Sequence, residues 1–451
     1  MPKNSHHKRI LLVNGRIVNE GRIFDADIYV KEGRIDAVGS NLSGKPADVT
    51  IDASGCHIFP GMIDDQVHFR EPGLTHKGDI RSESLAAAAG GITSFMEMPN
   101  TNPATTTLAL LEDKYQRAKA TSAINYAFYL GGANDNLEEI KRLDPKQACG
   151  VKVFMGASTG NMLVDDPAIL EKFFSHAPTL VATHCEDTPT INANAQKFQK
   201  KYGTAIPVTE HPNIRSAEAC LKSTELAIDL ARTHNTRLHV LHLSTADEMV
   251  LFTPGDLTSK QITAECCVHH LHFCDADYKT LGNRIKCNPA IKTDQDRKAI
   301  IKAVVDNRID IIATDHAPHL LSEKEGTDYF KVPAGLPLVQ FALPSLLERY
   351  HQGVFTLPLI VEKTAHAPAR LFDVKERGFI REGYWADLAI LRIDDPQKVT
   401  DDTVHSKCGW TPFTGQTFQS RVVTTLVSGQ VAFHQGQLDH SVRGMRLAFD
   451  R

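Results

Sequence analysis

The sequence predicts an α/β protein in which a (β/α)8 TIM-like barrel is joined to a small β-sandwich domain built from both termini. The chain has 451 residues, which is too long for one ordinary hydrophobic core and indicates two domains. Both ends of the chain contain short strand-like runs punctuated by glycine turns. The middle alternates strand-like and helical patterns, which is typical of parallel βα units.

The predicted small β domain combines residues 1–58 with residues 375–451. The first of these segments is broken by the turn pairs Asn14-Gly15 and Glu32-Gly33. Because both ends of the chain are β-rich and the middle is not, the simplest arrangement is one domain assembled from both ends. Its predicted strands are Arg9–Val18, Ala26–Val30, Arg34–Val38, Asp387–Ile393 and Arg421–Gly429.

Residues 59–374 are predicted to form the barrel. Helical patterns such as Thr106–Lys119 and Ser216–Arg232 separate most of its strand-like runs. A doubly wound sheet is the alternative, but no Gly-x-Gly-x-x-Gly sequence follows the first strand. The eight apolar runs lie at residues 60–67, 92–98, 124–130, 150–155, 179–183, 237–243, 260–266 and 308–314.

Composition and charge limit the possible partners and location of the protein. Hydrophobic residues make up 42% of the chain and charged residues 23%, as in a water-soluble globular protein. The net charge of −4 without a block of like charge argues against a nucleic-acid or membrane partner. No apolar stretch reaches the ~18 residues that a membrane span needs, and Met1–Arg9 is polar, so no signal peptide is expected. Nine cysteines without a Cys-x-x-Cys pair fit a reducing compartment, and we expect a cytoplasmic protein.

Side chains that commonly bind metals follow five of the predicted barrel strands. The carboxyl ends of barrel strands open into one mouth, so these side chains are expected to converge. Imidazole and carboxylate groups together suit zinc or a similar divalent ion. The predicted metal ligands are His68, Lys152, His184, His242 and Asp315.

Each of these residues also has an ordinary structural explanation. The chain has 21 histidines, and a single histidine at a strand end is most often a surface or core residue. Asp315 could be a helix N-cap, and Lys152 could be a solvated or Schiff-base lysine. Five such residues in register with one barrel mouth favour a metal site over these separate explanations.

Seven motifs of the chain resemble the amidohydrolase superfamily and, within it, the dihydroorotases, from about residue 9 to residue 430. Hydantoinases and allantoinases share the metal ligands but usually lack the counterparts of Arg70 and Asn100. The motifs are His68-Phe-Arg70-Glu-Pro-Gly73, Met98-Pro-Asn100-Thr-Asn-Pro103, Val151-Lys152-Val-Phe154, His184-Cys-Glu-Asp187, His242-Leu-Ser-Thr245, Lys286-Cys-Asn288-Pro289 and Thr314-Asp315-His-Ala-Pro-His319.

The resemblance implies a pair of metal ions, expected to be zinc. His68 and Asp315 would bind the first ion, and His184 and His242 the second. Lys152 would bridge both ions as an Nζ-carbamate, which requires a neutral amine of the kind that burial produces. Gln66 departs from the family pattern, because it stands where the family has another ligand histidine.

The resemblance also implies a reaction, the reversible hydrolysis of dihydroorotate to N-carbamoyl-aspartate in pyrimidine (UMP) biosynthesis. Asp315 would carry a proton from the attacking water to the leaving ring nitrogen. Arg70, Asn100 and His319 would hold the substrate carboxylate, since a guanidinium pairs with a carboxylate through two parallel hydrogen bonds. The ring amides would contact Asn288 and the backbone at Ala334 and Gly335, and the loop Gly156–Leu163 would close over the site.

Two alternative functions remain open at this stage. One is another cyclic amidohydrolase, a hydantoinase or an allantoinase. The other is a catalytically silent dihydroorotase-like protein that binds a partner enzyme, an interpretation supported by Gln66 alone. In either enzymatic case the expected partners are a small-molecule substrate and a second copy of the chain in a homodimer.

Overall fold

The computed structural model describes residues 9–156 and 160–451. Residues 1–8, on which most of the signal-peptide prediction rests, lie outside the described residues, as do residues 157–159 of the predicted closing loop. The strands are β1 (Arg9–Asn19), β2 (Arg22–Lys31), β3 (Arg34–Gly39), β4 (Val49–Asp52), β5 (His57–Pro60), β6 (Met62–Val67), β7 (Ile92–Glu97), β8 (Asn125–Phe128), β9 (Leu130–Gly131), β10 (Val151–Phe154), β11 (Val181–His184), β12 (Leu238–Val240), β13 (Ile262–Cys267), β14 (Ile311–Ala313), β15 (Leu388–Arg392), β16 (Gln397–Lys398), β17 (Thr417–Phe418), β18 (Arg421–Val427), β19 (Gln430–His434) and β20 (Gln437–Leu438).

The helices lie mainly between the central strands, and no helix in the described ranges is both long and apolar enough to span a membrane. They are α1 (Ile80–Ala89), α2 (Leu108–Thr121), α3 (Leu137–Lys141), α4 (Pro167–His176), α5 (Thr188–Tyr202), α6 (His211–Ile214), α7 (Ala217–His234), α8 (Val268–His272), α9 (Tyr278–Leu281), α10 (Asp294–Val305), α11 (Leu321–Lys324), α12 (Ala342–His351), α13 (Leu357–Val361) and α14 (Ala367–Leu371).

Strands from the two ends of the chain share one nine-stranded sheet. Its order is β20-β19-β18-β15-β5-β1-β2-β3, with β4 also paired to β1. The two ends meet where β5 pairs with β15 in antiparallel orientation. Fully buried Ile10, Ile58 and Leu388 belong to a hydrophobic core of this region. The sandwich arrangement and the boundaries at residues 58 and 375 remain predictions.

The central strands pair in parallel with their neighbours in chain order. One sheet has the order β6-β7-β8 and the other runs from β9 to β14. Each of the eight predicted strand runs overlaps at least one strand of this series, so the α/β class is confirmed. A parallel bridge joins Val67 in β6 to His316 after β14, and the His68 amide donates to the His316 carbonyl at 2.7 Å.

The buried strands and capped helices follow from local sequence. Every residue of β6 and β7 is buried, as expected for parallel strands with both faces covered. Helix α1 begins after Asp79, whose carboxylate accepts a hydrogen bond from the Ser82 amide at 2.8 Å. Helix α7 ends at Asn235, which takes the left-handed conformation (φ 53°) that asparagine tolerates at a helix end.

The last residues of the chain lie against the central strands rather than in the nine-stranded sheet. The Tyr126 amide of β8 donates to the Met445 carbonyl at 3.0 Å, and the Leu447 amide donates to the Tyr126 carbonyl at 2.9 Å. A Cβ atom at Gly444 would stand 1.8 Å from the Ile124 carbonyl oxygen, so this close approach requires glycine. This part of the predicted β domain therefore contacts the predicted barrel.

Candidate active site

A pocket opens where the predicted strand-end residues meet. All of the predicted site residues except His319 line it, together with Phe154 and Ala317, which the sequence analysis did not single out as site residues. The lining residues are Gln66, His68, Arg70, Asn100, Lys152, Phe154, His184, His242, Asn288, Asp315, Ala317, Ala334 and Gly335.

Two histidines face each other on one side of the pocket. The Nδ1 atom of His184 lies 2.8 Å from the Nε2 atom of His242. His184 Nε2 donates to the Glu186 carboxylate at 2.8 Å, an arrangement that leaves the lone pair of Nδ1 directed at His242. Burial lowers the pKa of both imidazoles, and that of His242 falls well below its usual value. Both rings are therefore neutral bases of the kind that bind metal.

Glu186 is a site residue to which the sequence analysis assigned no role. Its carboxylate is fully buried and also pairs with the Arg215 guanidinium. Burial alone would raise the pKa of Glu186, but Arg215 and His184 outweigh it and lower the pKa to about 2. Glu186 is thus an anion that fixes the orientation of the His184 ring.

His68, Gln66 and Asp315 form a second group of contacting side chains in the pocket. His68 Nδ1 lies 2.7 Å from the Asn100 amide oxygen, and His68 Nε2 lies 3.1 Å from Asp315 Oδ1. Gln66 Nε2 donates to the same Asp315 oxygen at 3.1 Å, while its own oxygen lies 3.9 Å from the Cys267 thiol. The Gln66 oxygen thus points at Cys267, and its amide nitrogen faces the predicted first metal position.

Lys152 lines the same pocket and is 1% exposed. Its Nζ atom has no hydrogen-bond partner among the residues that the structure describes. Burial lowers its pKa from 10.5 to about 7, so a large share of the amine is neutral near pH 7. An unpartnered, neutral, buried amine beside four ligand-type side chains fits the predicted carbamate and metal pair.

Arg70 and His319 are coupled at the rim of the pocket. Arg70 Nε donates to the Pro318 carbonyl at 3.0 Å, and its Nη2 lies 3.0 Å from His319 Nε2. The other ring nitrogen of His319 lies 3.0 Å from the Lys77 ammonium. Burial lowers the pKa of Arg70 to about 10, which leaves it charged at neutral pH. His319 therefore stands behind Arg70, and its direct contact with a substrate remains a prediction.

Three non-glycine pocket residues adopt left-handed backbone conformations. They are Arg70 (φ 72°), His242 (φ 40°) and Asp315 (φ 50°). Such conformations cost about 1–3 kcal/mol each and persist where the surrounding structure enforces them. Their concentration in one pocket is typical of an active site.

The remaining predicted binding groups also face the pocket. The Asn288 side-chain oxygen is buried and lacks a hydrogen-bond partner within the described ranges, so it can accept from a ligand. Gly335 has φ 144°, and a Cβ atom there would stand 2.5 Å from the Ala317 carbonyl oxygen. The backbone at Ala334 and Gly335 can therefore line the pocket only with glycine at position 335.

Comparisons with known proteins agree with this geometry. A model of the amidohydrolase family matches residues 57–432. The chain belongs to the amidohydrolase family. It is 33% identical over 408 residues to the dihydroorotase of Halobacterium salinarum, covering 90% of this chain and 92% of that protein. It is 32% identical over 443 residues to the dihydroorotase of Bacillus cytotoxicus, covering 94% and 98% of the two chains.

Among solved structures the chain resembles an L-hydantoinase (dihydropyrimidinase) from Arthrobacter aurescens. The TM-score is 0.92 at 27% identity, and the superposition covers 97% of this chain and 99% of that one. The two named sequence relatives are dihydroorotases, whereas this structural relative is a hydantoinase. This amidohydrolase is a hydrolase that acts on cyclic amides.

Proposed function

We propose that the protein is a dihydroorotase that interconverts dihydroorotate and N-carbamoyl-aspartate in pyrimidine biosynthesis. The observation that carries the proposal is Arg70, a buried and charged guanidinium in the same pocket as the ligand-type histidines. Dihydroorotate carries a carboxylate, and arginine is suited to pair with it through two hydrogen bonds. The two relatives named dihydroorotase support the same substrate.

The pocket residues fit two zinc ions. His68 and Asp315 would hold the first, His184 and His242 the second, and a carbamate on Lys152 would contact both. Bound there, the ions supply activation of water and polarisation of the scissile carbonyl. This assignment is supported by the facing ring nitrogens of His184 and His242 and by the unpartnered Lys152 amine.

The protein's own groups supply proton transfer and substrate orientation. Asp315 Oδ1 is engaged by Gln66 and His68, which leaves Oδ2 to accept a proton from the attacking water and return it to the leaving ring nitrogen. Arg70 and Asn100 would hold the substrate carboxylate, and Asn288 and the Ala334–Gly335 backbone would hold the ring amides. His319 would act by holding Arg70 in place.

We also infer that the central strands close into a (β/α)8 barrel. Strands β8 and β9 are separated by Tyr129 alone, so they count as one strand position and the series contains eight. The bridge between Val67 and His316 links the last position to the first. A closed ring of parallel strands would explain why all the strand-end residues reach one pocket. A homodimer in the cytoplasm remains our expectation for the assembled enzyme.

A hydantoinase is the second candidate, and the structural likeness to the Arthrobacter enzyme favours it. Turnover of dihydroorotate, hydantoin and allantoin by the metal-loaded protein, measured side by side, separates the two candidates. We expect dihydroorotate to have the highest kcat/KM. A preference for hydantoin or allantoin would refute the proposal, and no turnover of any of the three would favour a silent homologue.

A further inference from the structure

A second group of buried ligand-type side chains lies next to the pocket and has no role in the proposed reaction. It consists of Asp65, His239 and Glu265, all with 0% exposure. We name it the inner cluster. Asp65 directly precedes Gln66 in β6, and Glu265 Oε1 accepts a hydrogen bond from the His242 amide at 3.0 Å. The inner cluster therefore touches the strand ends that carry the proposed metal ligands.

The three side chains converge at separations longer than those of ordinary imidazolium–carboxylate hydrogen bonds. His239 Nε2 lies 3.3 Å from Asp65 Oδ2 and 3.6 Å from Glu265 Oε2. Hydrogen bonds between an imidazolium and a carboxylate are shorter, at about 2.7–2.9 Å. Both Asp65 oxygens, His239 Nε2 and Glu265 Oε2 have no hydrogen-bond partner among the described residues. Buried polar atoms are rarely left unsatisfied, so these four atoms require an explanation.

The orientation of His239 directs its Nε2 atom at the two carboxylates. The Thr263 hydroxyl donates to the Leu238 carbonyl at 3.1 Å, so its oxygen accepts from His239 Nδ1 at 2.8 Å. Burial alone would lower the pKa of His239, but the Asp65 and Glu265 carboxylates outweigh it and raise the pKa to about 9, so Nε2 is protonated until a cation displaces that proton. Nδ1 keeps its own proton, which leaves Nε2 as the ligand atom once a cation is bound. The same device orients the imidazoles of known metal sites.

We propose that Asp65, His239 and Glu265 hold one further zinc ion, separate from the pair in the pocket. Zinc binds imidazole nitrogen and carboxylate oxygen at about 2.0–2.2 Å, which places tetrahedral ligand atoms about 3.3–3.6 Å apart. The two measured separations lie in this interval, and all three ligand atoms lie within 4.8 Å of one another. Both Asp65 oxygens are unpartnered, so Asp65 can contribute a second ligand atom.

A divalent ion would balance the charge of the inner cluster. Two carboxylates buried without compensation would be strongly unfavourable, because an isolated charge loses its hydration. Within the described chain, the one side chain that forms an ion pair within 4.0 Å of either carboxylate is His239. A neutral His239 and a zinc ion leave the inner cluster with no net charge.

The ion would join three strands at the base of the pocket. Asp65 lies in β6 next to Gln66, His239 lies in β12 three residues before His242, and Glu265 lies in β13. On the other side, the Tyr129 hydroxyl donates to the Asp65 carbonyl at 3.0 Å and the Phe372 ring packs on His239. The zinc would thus be a structural ion that positions the strand ends, shielded from solvent by apolar rings.

The first test counts zinc in the full-length protein after expression with added zinc and dialysis against EDTA. The pocket opens to solvent and the inner cluster does not, so we expect one zinc per chain to remain. Lys152→Ala, which removes the bridging group of the pocket, should retain that zinc. Asp65→Asn and Glu265→Gln should lose it. The matched control is Asp64→Asn, because Asp64 is an equally buried neighbour that bonds Thr314 instead.

Equal zinc retention in Asp65→Asn and the Asp64→Asn control would overturn the proposal, as would no retained zinc in the unmodified protein. A second measurement does not depend on the variants folding. Anomalous X-ray scattering at the zinc edge, from crystals of the unmodified enzyme, should give a peak between Asp65, His239 and Glu265. Peaks in the pocket alone would show that the inner cluster holds protons instead of zinc, and would leave the proposed function intact.

Discussion

Arg70 is the residue on which the choice of substrate depends. It is buried, charged and oriented by the Pro318 carbonyl and His319, and the proposal gives it no contact with metal. Gln66 is the residue on which the strength of the first metal position depends, because its amide nitrogen rather than its oxygen faces Asp315. The two residues lead to separate predictions about turnover and metal content.

We expect Arg70→Met to retain metal but to lose most turnover of dihydroorotate. Removing one partner of a charge pair in a dry site costs ~2–5 kcal/mol, which corresponds to a loss of kcat/KM of about 30-fold to several thousand-fold. Steady-state kinetics and metal analysis on the same preparation check the expected loss of turnover and the expected retention of metal. Arg70→Lys is the matched control. Its kcat/KM should lie between those of the unmodified protein and Arg70→Met, because lysine keeps the charge but not the planar guanidinium. Near-normal kcat/KM in Arg70→Met would reopen the hydantoinase assignment.

We expect Gln66→His to increase retention of metal in the pocket. Imidazole is a stronger zinc donor than an amide, and the Gln66 oxygen is turned toward Cys267. The measurement is metal per chain after equal dialysis against citrate, with Gln66→Asn as the control for disturbing the Asp315 contact. If the unmodified protein and Gln66→His retain the same amount of metal, Gln66 does not limit metal binding and another residue completes the site.

Among the structural elements, strand β6 shows how a local irregularity builds the site. Its register with β7 shifts between Asp64 and Val67, so that three steps along β6 match two along β7. This extra residue is a β-bulge, and bulges redirect side chains beside active sites. Asp65 and Gln66 lie within the bulge. Asp65 belongs to the inner cluster, and Gln66 lines the pocket.

The end of β11 predicts a pH dependence of stability. Glu186 has a pKa of about 2 in the folded protein against an ordinary 4.5. Its contribution to the free energy of unfolding is therefore complete above pH 4.5 and is lost as the pH falls toward 2. The shift corresponds to about 3 kcal/mol in total, of which roughly 1 kcal/mol is lost by pH 4. Urea unfolding at pH 6 and pH 4 should therefore show a larger loss for the unmodified protein than for Glu186→Gln. Identical pH dependence in the two proteins would contradict the assignment.

The loop after β14 provides a further prediction. Gly335→Ala would place a Cβ atom 2.5 Å from the Ala317 carbonyl oxygen and 2.9 Å from the His319 ring. We expect a loss of about 1–3 kcal/mol in unfolding free energy and a raised KM, because the displaced backbone lines the pocket. Gly255→Ala is the control, since it has a comparable positive φ of 151° but no atom within 4 Å of the added Cβ. A normal KM in Gly335→Ala would remove this backbone from the binding surface.

At the level of the whole molecule, the nine-stranded sheet and the central strands are joined through a buried polar network. The Asp387 carboxylate pairs with Arg377 and accepts from the Asn125 side chain of β8 at 3.0 Å. It also accepts from the Ser428 amide at 2.7 Å. One carboxylate therefore links both parts of the protein.

We expect Asp387→Asn to destabilise the protein by about 3–5 kcal/mol, because it leaves the Arg377 charge buried without its partner. Urea unfolding measures the loss. The double variant Arg377→Met with Asp387→Asn should recover much of it, since no uncompensated charge remains. If the double variant is no more stable than the single one, packing rather than charge accounts for the effect.

The sequence by itself determined the α/β class and most of the pocket. Strands buried on both faces have a clear apolar pattern, and the carboxyl ends of parallel strands meet at one edge whatever the details of packing. For that reason His68, Lys152, His184, His242 and Asp315 could be placed together before their distances were known.

The tertiary structure decided what depends on register and on contacts between distant segments. A one-residue bulge in β6 determines where the side chains of Asp65 and Gln66 point, and no local sequence pattern predicts this bulge. The position of His319 behind Arg70 and the path of residues 444–447 along β8 likewise arise from pairings between distant parts of the chain. The convergence of Asp65, His239 and Glu265 is of the same kind, since three separate strands bring those side chains together only when all of them are in register.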